Sequence, residues 1–217
     1  MAYFMLQITG LILGGIGMVG TLAATFMPQW RVSAHIDANI VVFETIWEGL
    51  WMDCVSQLGI RLQCKFYDSI LALPPPLEAF RALMCTAAVL SIISFLLAIV
   101  GVKYTRRNKH ISIFILAAGL SFLLTGILVL IPVSWSGSNI IRDFYDPKVP
   151  TPLKRELGAA LYVGWVSSAL LIIAGAIQFS EPNSMCVLVQ RLCIKATLLS
   201  KAPPSYGPCI PGQLLLV

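Results

Sequence analysis

Four stretches of this chain, residues 6–27, 82–102, 111–131 and 158–179, are apolar almost without interruption. Each is close to the roughly 20 residues that a helix needs to cross a hydrocarbon layer about 30 Å thick. Inside such a layer, only a helix or a closed barrel satisfies every backbone N–H and C=O. We therefore read four transmembrane helices. They account for a chain of 217 residues that is 58% hydrophobic and 12% charged, where a soluble domain is about a quarter charged. The first run is read as a retained helix and not as a signal peptide, because residues 1–6 carry no Lys or Arg and the apolar run outlasts a usual h-region.

Charges at the helix ends give the orientation, since Lys and Arg near a span tend to stay cytoplasmic. The loop between the second and third spans holds Lys103, Arg106, Arg107 and Lys109 with no acidic residue. The tail adds Arg191, Lys195 and Lys201 against Glu181. Both termini are expected to face the cytoplasm. The net charge of +5 is then mainly a topology signal, and it points to contact with anionic membrane lipid, not to nucleic acid.

Of six cysteines, only Cys54 and Cys64 fall in the long segment that this topology places outside the cell. An oxidising compartment makes that pair the expected disulfide, worth on the order of 3 kcal/mol by chain entropy. Cys85 reads as a small buried thiol within the second helix. Cys186, Cys193 and Cys209 lie on the cytoplasmic side, lipidated or simply reduced, with Cys186 best placed for lipidation.

The first outer segment, residues 28–80, is too long for a bare connection. Val32, Ile36, Ile40 to Phe43 and Ile46 are β-branched or aromatic, and Asp37, Ala38 and Asn39 interrupt them, which predicts a hairpin. A second strand pair is expected over 50–55 and 60–66 with Gly59 near its turn, and the prolines at 74, 75 and 76 are expected to end the pairing before the second helix. In the second outer segment, 132–157, the third helix is expected to continue past the bilayer through Asn139 and Arg142, until Asp146 and Pro147 turn the chain. The fold class is thus membrane α+β: a left-handed four-helix transmembrane bundle with a small extracellular antiparallel β-sheet. It divides into a transmembrane domain, residues 1–180, and a cytoplasmic tail, 181–217. Within the tail, 185–199 reads as an amphipathic helix lying on the inner surface. Glycines 10, 14, 17 and 20 form a small-residue stripe on the first helix, read as intramolecular packing.

The order Trp30, Gly49, Leu50, Trp51, Cys54, Cys64, Arg81 resembles the signature of the claudins and their tetraspan relatives. Residues 27–34 (MPQWRVSA), 48–54 (EGLWMDC), 131–134 (IPVS) and 155–159 (RELGA) are most similar to the claudin-eight and claudin-seventeen branch. The resemblance runs from the N-terminus to about the fourth helix and implies a tight-junction protein of the plasma membrane. Such a protein assembles into strands with other claudins in cis and in trans, as homo- or hetero-oligomers, mediates cell adhesion and controls paracellular ion flow. No catalysis, cofactor or metal is implied. An auxiliary channel subunit sharing the Gly-Leu-Trp and two-cysteine pattern is the alternative. A redox enzyme is disfavoured because Cys54 and Cys64 are not spaced as Cys-x-x-Cys.

By the same resemblance, Trp30, Gly49, Leu50, Trp51 and Arg81 form the fold signature, with Arg81 a structural partner for outer carbonyls or a carboxylate. Lys65, directly after Cys64, stands where pore-forming claudins place the charge that sets selectivity. It is expected to favour anions such as chloride or to exclude cations. Glu48, Asp53 and Asp68 would offset it if they share its surface. Phe144 and Tyr145 either contact the neighbouring cell or pack inward on the sheet, and Arg155 with Glu156 reads as a local ion pair or cap. The terminal Leu215 and Val217 fit a PDZ scaffold, although the family commonly ends in Tyr-Val and carries a cysteine cluster after the fourth helix, both missing here.

Overall fold

A computed structural model describes residues 2–33, 44–57, 61–67, 75–105, 112–150 and 154–179. Four long helices, α1 (Ala2–Phe26), α2 (Pro75–Thr105), α3 (Ser112–Tyr145) and α4 (Ala159–Phe179), carry candidate membrane spans Met5–Phe26, Pro76–Lys103, Phe114–Tyr145 and Ala159–Phe179. Each of α1 and α3 packs against both α2 and α4, which closes a four-helix bundle. Five short strands, β1 (Arg31–Ser33), β2 (Glu44–Glu48), β3 (Met52–Gln57), β4 (Arg61–Phe66) and β5 (Arg155–Leu157), form one sheet in the order β4-β3-β2-β1-β5. All pairings among the described residues are antiparallel.

The bundle is held together by small residues that let backbones approach, the usual device where lipid removes the hydrophobic drive between helices. A Cβ at Gly14 would stand 2.6 Å from the ring of Phe122 on α3, and one at Gly17 2.8 Å from Leu171 on α4. The glycine stripe therefore packs inside the molecule. Buried hydroxyls close on their own helix, as in Thr21 Oγ1 to the Gly17 carbonyl at 2.9 Å and Thr25 Oγ1 to the Thr21 carbonyl at 2.7 Å. No donor is thereby left facing hydrocarbon at these positions. A larger core at the sheet end gathers Trp30, Leu50, Phe80, Met84, Val133 and Leu161, and a smaller one deeper in the bundle gathers Ala98, Ala118, Phe122 and Leu171.

The helices outrun the apolar spans. Helix α2 begins at Pro75, so Pro75 and Pro76 open it instead of ending a strand. Proline suits a first helical turn because its missing N–H has no intrahelical acceptor there. Helix α3 passes through Pro132 and continues through Asn139 and Arg142 to Tyr145. Cys85 is exposed on α2, not buried as its type suggested. Strand β5 was not expected at all: the last three residues of segment 132–157 add an edge to the first segment's sheet. Residues 37–39, Gly59, Asp68, Pro74, Arg106, Arg107, Lys109 and the whole tail, with Leu215 and Val217, lie outside the described residues.

Candidate functional site

The sheet stands on the bundle through the end of α1. A helix leaves its last four carbonyls without intrahelical donors. The Met27 N–H takes the Ala23 carbonyl at 2.9 Å. Trp30 Nε1 then donates to the Ala24 carbonyl at 2.9 Å, and Trp51 Nε1 to the Thr25 carbonyl at 2.9 Å. Two indoles from separate strand ends thus finish one helix, and Leu50 is buried between them and the core. The turn joining β2 to β3 must run close over the chain, for a Cβ on Gly49 would lie 2.6 Å from Pro28 Cα. Arg81, from the first turns of α2, donates from Nε to the Leu50 carbonyl at 2.5 Å, and its guanidinium sits 5.2 Å from the Trp51 ring centroid and 5.0 Å from that of Tyr67. Cys54 and Cys64, directly opposed in register, are joined by a disulfide between β3 and β4.

Register sorts the charges. Residues directly opposite in adjacent strands point to the same face of a sheet. Leu157 pairs with Arg31, Arg31 with Glu48, Glu48 with Asp53, and Asp53 with Lys65. Four charged residues from four strands therefore form one row on one face, in the order Arg31, Glu48, Asp53, Lys65. With strands about 4.8 Å apart, the row spans about 14 Å. Alternation places Arg61 and Arg155 on the same face. The opposite face carries Val32, Trp47, Cys54, Cys64 and Phe66, with Glu156 at its β5 edge.

Both carboxylates of the row have partners from outside it. Arg155 Nε donates to Glu48 Oε1 at 2.8 Å across the intervening strand, with the two side chains 17% and 29% exposed. Arg155 is therefore a long-range partner, 107 residues from Glu48, and not half of a local pair with Glu156. Tyr67 donates its hydroxyl to Asp53 Oδ1 at 2.6 Å. Burial pushes the Asp53 carboxyl above the usual carboxylate range; the Tyr67 hydrogen bond opposes that shift and the Glu48 charge adds to it. Burial, then the Asp53 hydrogen bond, raises the Tyr67 phenol, so it remains a donor. Beside the row, Arg31, Glu48 and Arg155 line a cavity of about 220 Å³ with Ile140, Asp143 and Val149. Lys65 is exposed on β4, the edge strand.

This frame of tryptophan caps, a disulfide-clamped hairpin and an arginine under the turn coincides with the match to known proteins. Residues 4–178 match the profile of the PMP-22/EMP/MP20/Claudin family. The chain belongs to that family. It is 56% identical to mouse (Mus musculus) Claudin-8 and 59% identical to pig (Sus scrofa) Claudin-17, each over 82% of this chain and 80% of the relative. Human (Homo sapiens) Claudin-3 is 44% identical over 94% of this chain and 92% of its own. The likeness to Claudin-8 and Claudin-17 agrees with the branch to which the local phrases pointed.

The remaining features of this claudin-family chain lie around the end of α3. Phe144 and Tyr145 occupy its last turn, with ring centroids 5.5 Å apart. Tyr145 is 78% exposed, whereas Phe144 is half-buried, with Lys154 Nζ 5.4 Å from its ring centroid. Together with Ile140, Leu157 and Tyr162 they border a cavity of about 360 Å³. Tyr145 is turned outward and Phe144 toward the sheet edge. Among the described residues, no group of three or more His, Cys, Asp or Glu could hold a metal ion. Sequence reasoning passed over Tyr67 and the long-range role of Arg155, and no local pattern marks either. Only the pairing of Asp53 with Lys65 was implicit, because it is the next step of the ladder from Cys54 and Cys64.

Proposed function

We propose that this chain is a tight-junction strand protein of the plasma membrane. It associates with other claudins in cis and in trans, as a homo- or hetero-oligomer, and leaves between cells a path that favours anions or excludes cations. The sheet faces outward and both termini lie in the cytoplasm, in keeping with the disulfide at the sheet end and Lys103 at the opposite end of α2. The exposed ring of Tyr145, with Phe144 behind it, serves adhesion across the gap. Leu215 and Val217 would offer a PDZ scaffold its C-terminal strand, and the basic inner loop would meet anionic lipid.

The observation that carries the ionic reading is the charged row. Its two carboxylates are each held by a partner from outside it, and Lys65 stands exposed at its β4 end. A fixed unit charge about 7 Å from an ion, at a dielectric near 40, shifts the ion's energy by about 1.2 kcal/mol, roughly eightfold in occupancy. The test is the sodium and chloride dilution potential across an epithelial monolayer expressing this chain or Lys65→Glu, at equal junctional abundance. Because Lys65→Glu changes the charge by two units and moves chloride and sodium in opposite directions, the chloride-to-sodium permeability ratio is expected to fall by well over an order of magnitude in the variant. An unchanged ratio would make Lys65 a bystander. Absence of junctional strands in cells that otherwise lack them would remove the strand-forming reading altogether and favour an auxiliary subunit.

A further inference from the structure

We infer that Arg155, delivered by the second outer segment, is a second determinant of the ion preference, because it neutralises Glu48 within the charged row that ends at Lys65. The inference rests on the ion-selective reading above and deepens it. Within the row, Arg31 and Lys65 are matched by Glu48 and Asp53, so the four charges cancel. Arg155 enters from β5, on the same face by alternation, and its Nε sits 2.8 Å from Glu48 Oε1. Its charge makes the row net positive, with Asp143 of α3 lining the same cavity. It also does so in a partly dehydrated place, with Nη1 buried and the side chain 17% exposed, where water screens the pair poorly. The first outer segment alone would present a neutral row, and the second makes it cationic. Two loops that are 107 residues apart in sequence thereby set one electrostatic property.

Arg155 acts through Glu48, as a positioning residue for the field and not as an ion contact. Removing Arg155 exposes the Glu48 charge about two strand spacings from Lys65, or about 10 Å. At that separation a unit negative charge lowers the occupancy of an anion by roughly fourfold and raises that of a cation by the same factor, and the chloride-to-sodium ratio falls by their product. Removing Glu48 instead leaves Arg155 uncompensated and raises the ratio by a similar factor.

Four variants of the full chain test this by dilution potentials in monolayers, with freeze-fracture strands scored in each: Lys65→Gln, Arg155→Gln, Glu48→Gln and the double Arg155→Gln/Glu48→Gln. The chloride-to-sodium ratio is expected to fall in Arg155→Gln, to rise in Glu48→Gln and to return near the parent value in the double variant. Recovery in the double is what a merely structural role of Arg155 would not produce. An Arg155→Gln protein that forms strands with an unchanged ratio, or a double variant as low as the single, overturns the inference. Should Arg155→Gln fail to reach the junction, Glu48→Gln decides, and a ratio that is unchanged or lower overturns it. A ratio that Lys65→Gln also leaves unmoved refutes the ion-selective reading itself, whereas a shift in Lys65→Gln alone refutes only the part assigned to Arg155.

Discussion

Replacing Tyr67 by Phe removes one oxygen and little else. The ring keeps its place 5.0 Å from the Arg81 guanidinium, so packing and the cation–π contact persist. What disappears is the 2.6 Å hydrogen bond from the phenol to Asp53 Oδ1, together with the longer 3.4 Å approach of the same hydroxyl to the Gly49 carbonyl. A hydrogen bond to a charged acceptor contributes about 1.5–3 kcal/mol, and more of that is lost where the acceptor stays dehydrated. For a chain of this size about 2 kcal/mol corresponds to a fall of about 4–8 °C in unfolding midpoint. The sign with pH follows from Asp53. Its folded pKa is already raised by burial and only partly restrained by Tyr67, so the variant raises it further. A raised carboxylate pKa lowers stability once the group ionises. The penalty is therefore full above the folded pKa of Asp53 and shrinks as pH falls through it. Thermal unfolding of the detergent-solubilised, disulfide-intact protein reads this, in the parent and in an Asp53→Ala background. The loss is expected in the parent and should fall below about 0.5 kcal/mol once the acceptor is gone. Equal losses in both backgrounds would refute the assigned bond.

Two other outcomes follow from the same geometry. Because Asp53 protonates at higher pH than an ordinary carboxyl, acidification removes a negative charge from the row. The chloride-to-sodium ratio should rise as pH falls, beginning at a higher pH than an ordinary aspartate would give, and Asp53→Asn should flatten that rise. Gly158→Ala would place a Cβ 2.0 Å from the Gln29 carbonyl oxygen. Since backbone must move to admit it, separating β5 and α4 from the segment before β1, the variant is expected to lose more than about 3 kcal/mol and to be retained before the cell surface, as surface biotinylation would measure.

The sequence by itself determined the membrane class, the number of spans and the pairing of Cys54 with Cys64. Each follows from properties local to a run or to a compartment: about 20 apolar residues cross a bilayer wherever they occur, and two thiols in one oxidised segment have few other partners. Helix ends were less legible. Hydropathy reports the bilayer, but a helical backbone is equally satisfied beyond it, so α2 starts at Pro75 and α3 reaches Tyr145. The tertiary structure alone decided which charges share a face. Strand β5 is three residues long, too short for any periodic signal, yet its pairing with β1 brings Arg155 to Glu48. Likewise, nothing near Tyr67 in the chain announces Asp53 as its acceptor. A net acidic first outer segment became a row whose carboxylates are both occupied, because electrostatic energy depends on distance through space, and strand register sets those distances.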